Sequence, residues 1–136
     1  MRFVDTNVLL YSISRRPADA RKRRRAAEIL SAHDLAPRST QVLQEFYIQA
    51  TRPTRGDPLC HDEAAAFVKV WSRFPVPEIS LGVVNEALDL CRRYRLSYWD
   101  SAIVAAAQAL GCDQLLTEGL SHGQRMSGLV IVNPFR

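Results

Sequence analysis

The stretch Leu96–Thr117, LSYWDSAIVAAAQALGCDQLLT, places a helix and a strand in direct succession. Ser97 is a favoured N-cap type, and Ala102–Ala107 is an unbroken apolar run that reads as a buried helix. Gly111 suits the left-handed residue that stops such a helix, so a strand is expected over Asp113–Thr117. The same alternation extends outward from this stretch. Phe3-Val4 reads as a brief strand that halts at Asp5-Thr6-Asn7, after which Val8–Tyr11 turns helical. Helices are expected over Ala18–Ala32, Gln41–Ala50, Asp62–Arg73 and Val83–Tyr94. Further strands are expected at Leu35-Ala36, near Val76–Ile79 and at Leu129–Val132, and Arg52–Pro58 is the clearest loop. Strands separated by helices rather than hairpins imply parallel pairing and a sheet covered on both faces. The fold class is therefore α/β, with function gathered beyond the carboxyl ends of the strands. Asp5 and the loop Glu118–Gly123 lie at such ends.

Composition bounds the rest. A chain of 136 residues is about one domain long, so a single domain over residues 1–136 is expected. No apolar run approaches the roughly 20 residues needed to cross a bilayer. Asp5 interrupts the stretch that a secretory signal would require, which makes a cytoplasmic protein the expectation. The three cysteines, Cys60, Cys91 and Cys112, are widely spaced and read as reduced, partly buried thiols. Net charge is +4, but seven basic residues fall between Arg15 and Arg25 against one acid, Asp19. Such a run is either a solvated helix face or the footprint of a polyanion-binding surface.

Three acids stand apart from the solvent-facing ones. Asp5 directly follows a strand, where it is either a helix cap or a site residue. Glu45 falls beside the apolar stripe of Val42, Leu43, Phe46, Tyr47 and Ala50, where a carboxylate is costly unless paired, hydrogen-bonded or bound to a cation. Asp100 follows Ser97 by three positions, a capping-box spacing, yet it also begins a buried helix that would project it into the cleft at the sheet end. No Ser-His-Asp or Cys-His set rivals them. Gathered carboxylates retain their protons unless a cation neutralises them, and a hard divalent ion such as Mg²⁺ does so with oxygen ligands. A basic flank beside an acidic centre fits a nuclease.

The segments FVDTNVLLYSI, STQVLQEFYIQATR and LSYWDSAIVAAAQALGCDQLLTEGLSHGQRMSGLVIVNPF resemble the PIN-domain family, in particular the VapC-type toxins of bacterial toxin–antitoxin pairs. The resemblance implies a three-layer α/β/α fold with a central, mostly parallel sheet. It also implies Mg²⁺- or Mn²⁺-dependent endoribonuclease activity, a VapB-like antitoxin partner and a homodimer. Asp5, Glu45 and Asp100 match the family's first three acids, and Asn7 the polar residue of its DTN signature. Members usually carry a fourth acid after the strand that here ends at Thr117, commonly in a Glu-Asp pair; this chain has Glu118 followed by Gly119. Water completing the metal shell, Glu118 swinging in, or weaker metal binding each accommodate that departure. Arg15, Arg16, Arg23, Arg24 and Arg125 are the expected contacts to the RNA backbone.

Other residues carry less. His122 could contact phosphate or act in proton transfer but reads first as an inert loop histidine, and Trp71 and Trp99 read as core or interface aromatics before base-stacking ones, with Trp99, beside Asp100, the one to test. Two rival functions stand against the nuclease. One is a catalytically silent RNA- or partner-binding module. The other is a phosphotransfer domain with a strand-end Asp, which would leave Glu45 and Asp100 idle and has no lysine beyond Lys69 to bind phosphate.

Overall fold

In the computed structural model, which spans Met1–Arg136, the chain runs β1 (Arg2–Val4), α1 (Thr6–Ser12), a 3₁₀ turn (Pro17–Asp19), α2 (Ala20–Leu30), α3 (Thr40–Thr51) and α4 (His61–Trp71). It continues through α5 (Leu81–Tyr94), α6 (Tyr98–Ala109), β2 (Gln114–Leu116), β3 (Arg125–Met126) and β4 (Leu129–Val132). The sheet order is β1-β2-β4-β3; β1, β2 and β4 are parallel, and only β3 runs antiparallel. Helices flank the sheet, giving the mostly parallel α/β architecture expected from the alternation.

Local chemistry explains the elements. Ser39, Ser80 and Ser97 each cap a helix, their hydroxyls accepting the backbone N–H of Val42, Val83 and Asp100 at 3.2–3.3 Å. Gly111 follows α6 at φ 72°, the left-handed stop. Val42, Phe46 and Ala50 recur at helical spacing and are buried, with the Trp71 ring edge-on to Phe46 at 4.7 Å. In α2 only Ala26 and Ile29 are buried, so its many charges face outward. The strands bury Phe3, Val4, Leu115, Leu116 and Ile131.

Four expectations change. Leu35 makes only an isolated bridge to Arg2, not a strand, flanked by the ion pair of Asp34 with Arg2 at 2.7 Å. No strand forms over residues 76–79, because Pro75 and Pro77 withhold the N–H groups that a ladder needs. The antiparallel β3 was not expected; it turns into β4 through Ser127 and Gly128, both at positive φ (48° and 89°), the backbone of a two-residue hairpin. Cys60, expected to be partly buried, is exposed, and all three thiols are free.

The register positions the site. Val4 pairs with Leu116, and the ladder continues past both strand ends: Asp5 N–H donates to the Leu116 carbonyl and Thr117 N–H to the Val132 carbonyl, each at 3.0 Å. Asp5 and Thr117 therefore emerge side by side at the carboxyl edge of the sheet.

Candidate active site

Asp5 is both a helix cap and the hub of a network. Its Oδ1 accepts the Thr6 N–H at 2.7 Å, which caps α1. Its Oδ2 accepts the Thr117 hydroxyl at 2.8 Å and the Asn7 side-chain amide at 3.4 Å. That amide also donates to Thr117 Oγ1 at 3.2 Å, and the Gly119 N–H reaches the same oxygen at 3.0 Å. Asn7 Oδ1 in turn accepts the Glu118 N–H at 3.4 Å. Burial pushes the Asp5 carboxyl above the usual range. The bonds from Thr117 and Thr6 pull it back, while the negative charges of Glu45 and Asp100 add to the rise.

Glu45 projects from α3 toward the same network. Its Oε2 accepts the Thr6 hydroxyl and its Oε1 the Gln41 amide, both at 2.8 Å. It pairs with no arginine, and hydrogen bonds occupy both its oxygens. At Asp100 only half of the capping box forms. Its N–H donates to Ser97 Oγ, but its carboxylate returns no bond and joins no ion pair, which leaves it free at the start of α6.

Seven ion pairs form in the molecule, and none includes Asp5, Glu45 or Asp100. The three acids thus repel one another with no internal cation to offset them. Their donors are hard oxygens, which suit Mg²⁺ or Mn²⁺. No three acid, histidine or cysteine side chains stand close enough to form a ready-made metal cage, so the protein would supply only part of a coordination shell. Mg²⁺, which keeps several waters, fits such a partial set.

Glu118 goes elsewhere. Its Oε1 accepts the Tyr11 hydroxyl at 2.9 Å and its Oε2 the Lys22 ammonium at 2.9 Å, so both oxygens are engaged away from Asp5. Lys22 also lies over the Tyr11 ring at 4.7 Å, so Glu118 would have to leave this clamp to serve as the expected metal ligand.

The expected RNA-contacting arginines do not form one stripe. Arg16 is exposed and lines a cavity of about 260 Å³ with Asn7, Tyr11 and Arg55, beside the acids. Arg15 pairs with Glu63 at 3.2 Å, and Arg23 donates to the Ser14 carbonyl at 3.3 Å. Arg24 lines a separate basic hollow with Arg21, Arg25 and Arg136. Arg125 sits on β3, three strand spacings from β1, or roughly 14 Å from Asp5's strand. His122 is structural: its Nδ1 accepts the Asn133 N–H at 3.0 Å.

Sequence reading passed over Thr6, Gln41 and Thr117, which hold the acids. Thr6 stands between two residues already singled out, and Gln41 lies four before Glu45, the spacing of helical neighbours; both signals were available. Thr117 is found only through the strand register.

Comparison with known proteins adds to this geometry. The family model described as "PIN domain" matches residues 2–121. In three dimensions the chain is similar to a protein of a toxin–antitoxin complex from Klebsiella pneumoniae, with a TM-score of 0.72 and 22% identity over 98% of each chain. It is also similar to VapC20 of Mycobacterium tuberculosis, a toxin that cleaves the sarcin–ricin loop. That likeness has a TM-score of 0.63 and 19% identity, over 85% of this chain and 87% of the other. No curated protein matches the chain. Identities this low carry the fold alone.

Proposed function

The chain belongs to the PIN-domain family, and from that premise we propose that it is a divalent-metal-dependent endoribonuclease, the cytoplasmic toxin of a VapBC-type toxin–antitoxin pair. The observation that carries this function is the uncompensated acidic set: Asp5 feels the charges of Glu45 and Asp100, and no basic side chain pairs with any of the three. Asp5 and Asp100 would hold Mg²⁺ or Mn²⁺, with Glu45 bound directly or through water. When bound, such an ion lowers the pKa of water and neutralises charge developing on a phosphodiester.

The chain's own residues prepare that site. Thr117, Asn7 and the Thr6 N–H hold Asp5 in one rotamer and favour its charged form. Thr6 and Gln41 fix both oxygens of Glu45. Arg16, beside Asn7, would take a flanking phosphate, with Arg15, Arg23, Arg24 and Arg125 as more distant contacts, so RNA binding weakens as salt rises. The Klebsiella complex supports a VapB-like antitoxin as partner, and homodimerisation belongs to the same proposal. No helix of the chain is long and apolar enough to cross a membrane.

One observation favours a second function, a silent RNA- or partner-binding module: Gly119 offers no side-chain ligand, and Glu118 is tied to Lys22. A single assay separates the two. Total RNA is incubated with the protein and excess Mn²⁺, with and without chelator, and RNA binding is measured alongside. Chelator-sensitive cleavage supports the nuclease. Binding without cleavage supports the silent module, and metal-independent cleavage overturns the metal assignment.

A further inference from the structure

Trp99 is out of place for a packing residue. It is 62% exposed, whereas Trp71 stacks on Phe67 and meets Phe46 edge-on. The exposed indole is nonetheless braced, edge-to-face against Tyr98 at 5.1 Å. It lines a cavity of about 440 Å³ with Gln41, Gln44, Glu45, Ile48 and Gln49. Gln41, Glu45, Ile48 and Gln49 follow helical spacing on one face of α3. Two bonds tie this cavity to the acidic site. Gln41 Nε2 donates to Glu45 Oε1 at 2.8 Å and to the Trp99 carbonyl at 3.2 Å. Trp99 itself directly precedes Asp100.

The lining selects a chemical class. It contains no cation and one acid, so it is not built for phosphate. A braced, exposed indole offers a stacking surface for a flat ring. Side-chain carboxamides present a donor and an acceptor together, the pairing that reads the edges of bases. A planar, neutral ligand with a hydrogen-bonding rim meets all these features, and in an RNA-cleaving protein that ligand is a nucleobase splayed out of a single strand. We propose that this cavity is the specificity pocket for a base adjacent to the scissile phosphate, with Trp99 as stacking platform and Gln44 and Gln49 as edge readers. The proposal rests on the ribonuclease function above, and it adds which side chains would read the base.

The test uses the full chain, Mn²⁺ and a single-stranded RNA library of randomised sequence, with cleaved ends sequenced, together with binding of the same library in chelator. Melting temperature is recorded for each variant; Trp99 is exposed, so Trp99→Ala is expected to melt as the wild type does. The expected result is a base preference at one position flanking the cut. Trp99→Ala flattens it and weakens RNA binding about tenfold, the scale of one lost stacking contact, while Trp99→Phe retains most of both. Gln44→Ala and Gln49→Ala change which base is preferred. If wild type and Trp99→Ala cut the same sites and bind alike, the pocket is overturned while the nuclease stands. It is equally overturned if Trp99→Ala loses only binding to a partner protein co-purified with the chain. A wild type that cuts no RNA overturns the nuclease, and the pocket with it.

Discussion

Thr117 donates its hydroxyl to Asp5 Oδ2 at 2.8 Å, joining two residues 112 positions apart. The bond exists because Val4 and Leu116 are register partners in adjacent parallel strands, so the next residue of each emerges at the same edge. Thr117 is fully buried and its oxygen also serves Asn7 and Gly119. Removing the hydroxyl while keeping the shape therefore isolates its role. Thr117→Val is expected to weaken Mn²⁺ binding about 10–100-fold, the worth of a hydrogen bond to a charged group at tenfold per 1.4 kcal/mol. Because that bond holds the Asp5 carboxyl down, the acid limb of the metal-binding pH profile moves to higher pH. Calorimetric titration across pH checks both; an unchanged limb sinks the role assigned to Thr117.

Asp5 and Asp100 separate activity from stability. Either Asp5→Asn or Asp100→Asn is expected to reduce RNA cleavage to background. Asp100→Asn removes no internal bond of its carboxylate and should hold stability within about 0.5 kcal/mol. Asp5→Asn turns an amide donor toward the Asn7 and Thr117 donors, so it melts lower. Gel-based cleavage and thermal melts report the two effects, and activity retained in either variant would discard the assignment.

The raised Asp5 carboxyl has a definite sign in the metal-free protein. Between the ordinary carboxylate range, about pH 4, and its raised folded value, the native state binds more protons than the unfolded chain, so stability falls as pH rises through that window. Asp34, held low by Arg2, and Asp113, held low by the N-terminal ammonium, act oppositely; their stability is lost as pH falls below the ordinary range. The two limbs therefore occupy different windows. Mn²⁺ should raise the melting temperature increasingly as pH rises through the Asp5 window; a Mn²⁺ effect independent of pH there would refute the link.

Gly119 is a testable gap. A Cβ placed there meets Thr117 Oγ1 at 3.6 Å, an ordinary contact, and no positive φ forbids a side chain. Gly119→Asp thus adds a carboxylate beside Asp5's own partner. Mn²⁺ binding should tighten in calorimetry, and the metal-free variant should melt lower from added like-charge repulsion. An unchanged affinity would place residue 119 outside the coordination shell.

Features governed by neighbours in sequence were legible. The serine caps, the α3 and α6 stripes and the acids beside them depend on spacing alone, and Ser97 with Asp100 even announces its own bond. Features governed by distant partners were not. Nothing local to Glu118 says that Lys22, 96 positions away, pairs with it. The β3–β4 hairpin escaped notice because Ser127, not a glycine, takes the first left-handed position. At residues 76–79 Val76 and Ile79 suggested a strand, and Pro75 before it and Pro77 within it outweighed them.

Both rims of the sheet are blunted: one by the lone Arg2–Leu35 bridge, the other by a two-residue β3 with exposed Arg125. Neither offers a long run of unpaired backbone donors and acceptors to template another strand. Rims this short resist the edge-to-edge growth that leads to fibres.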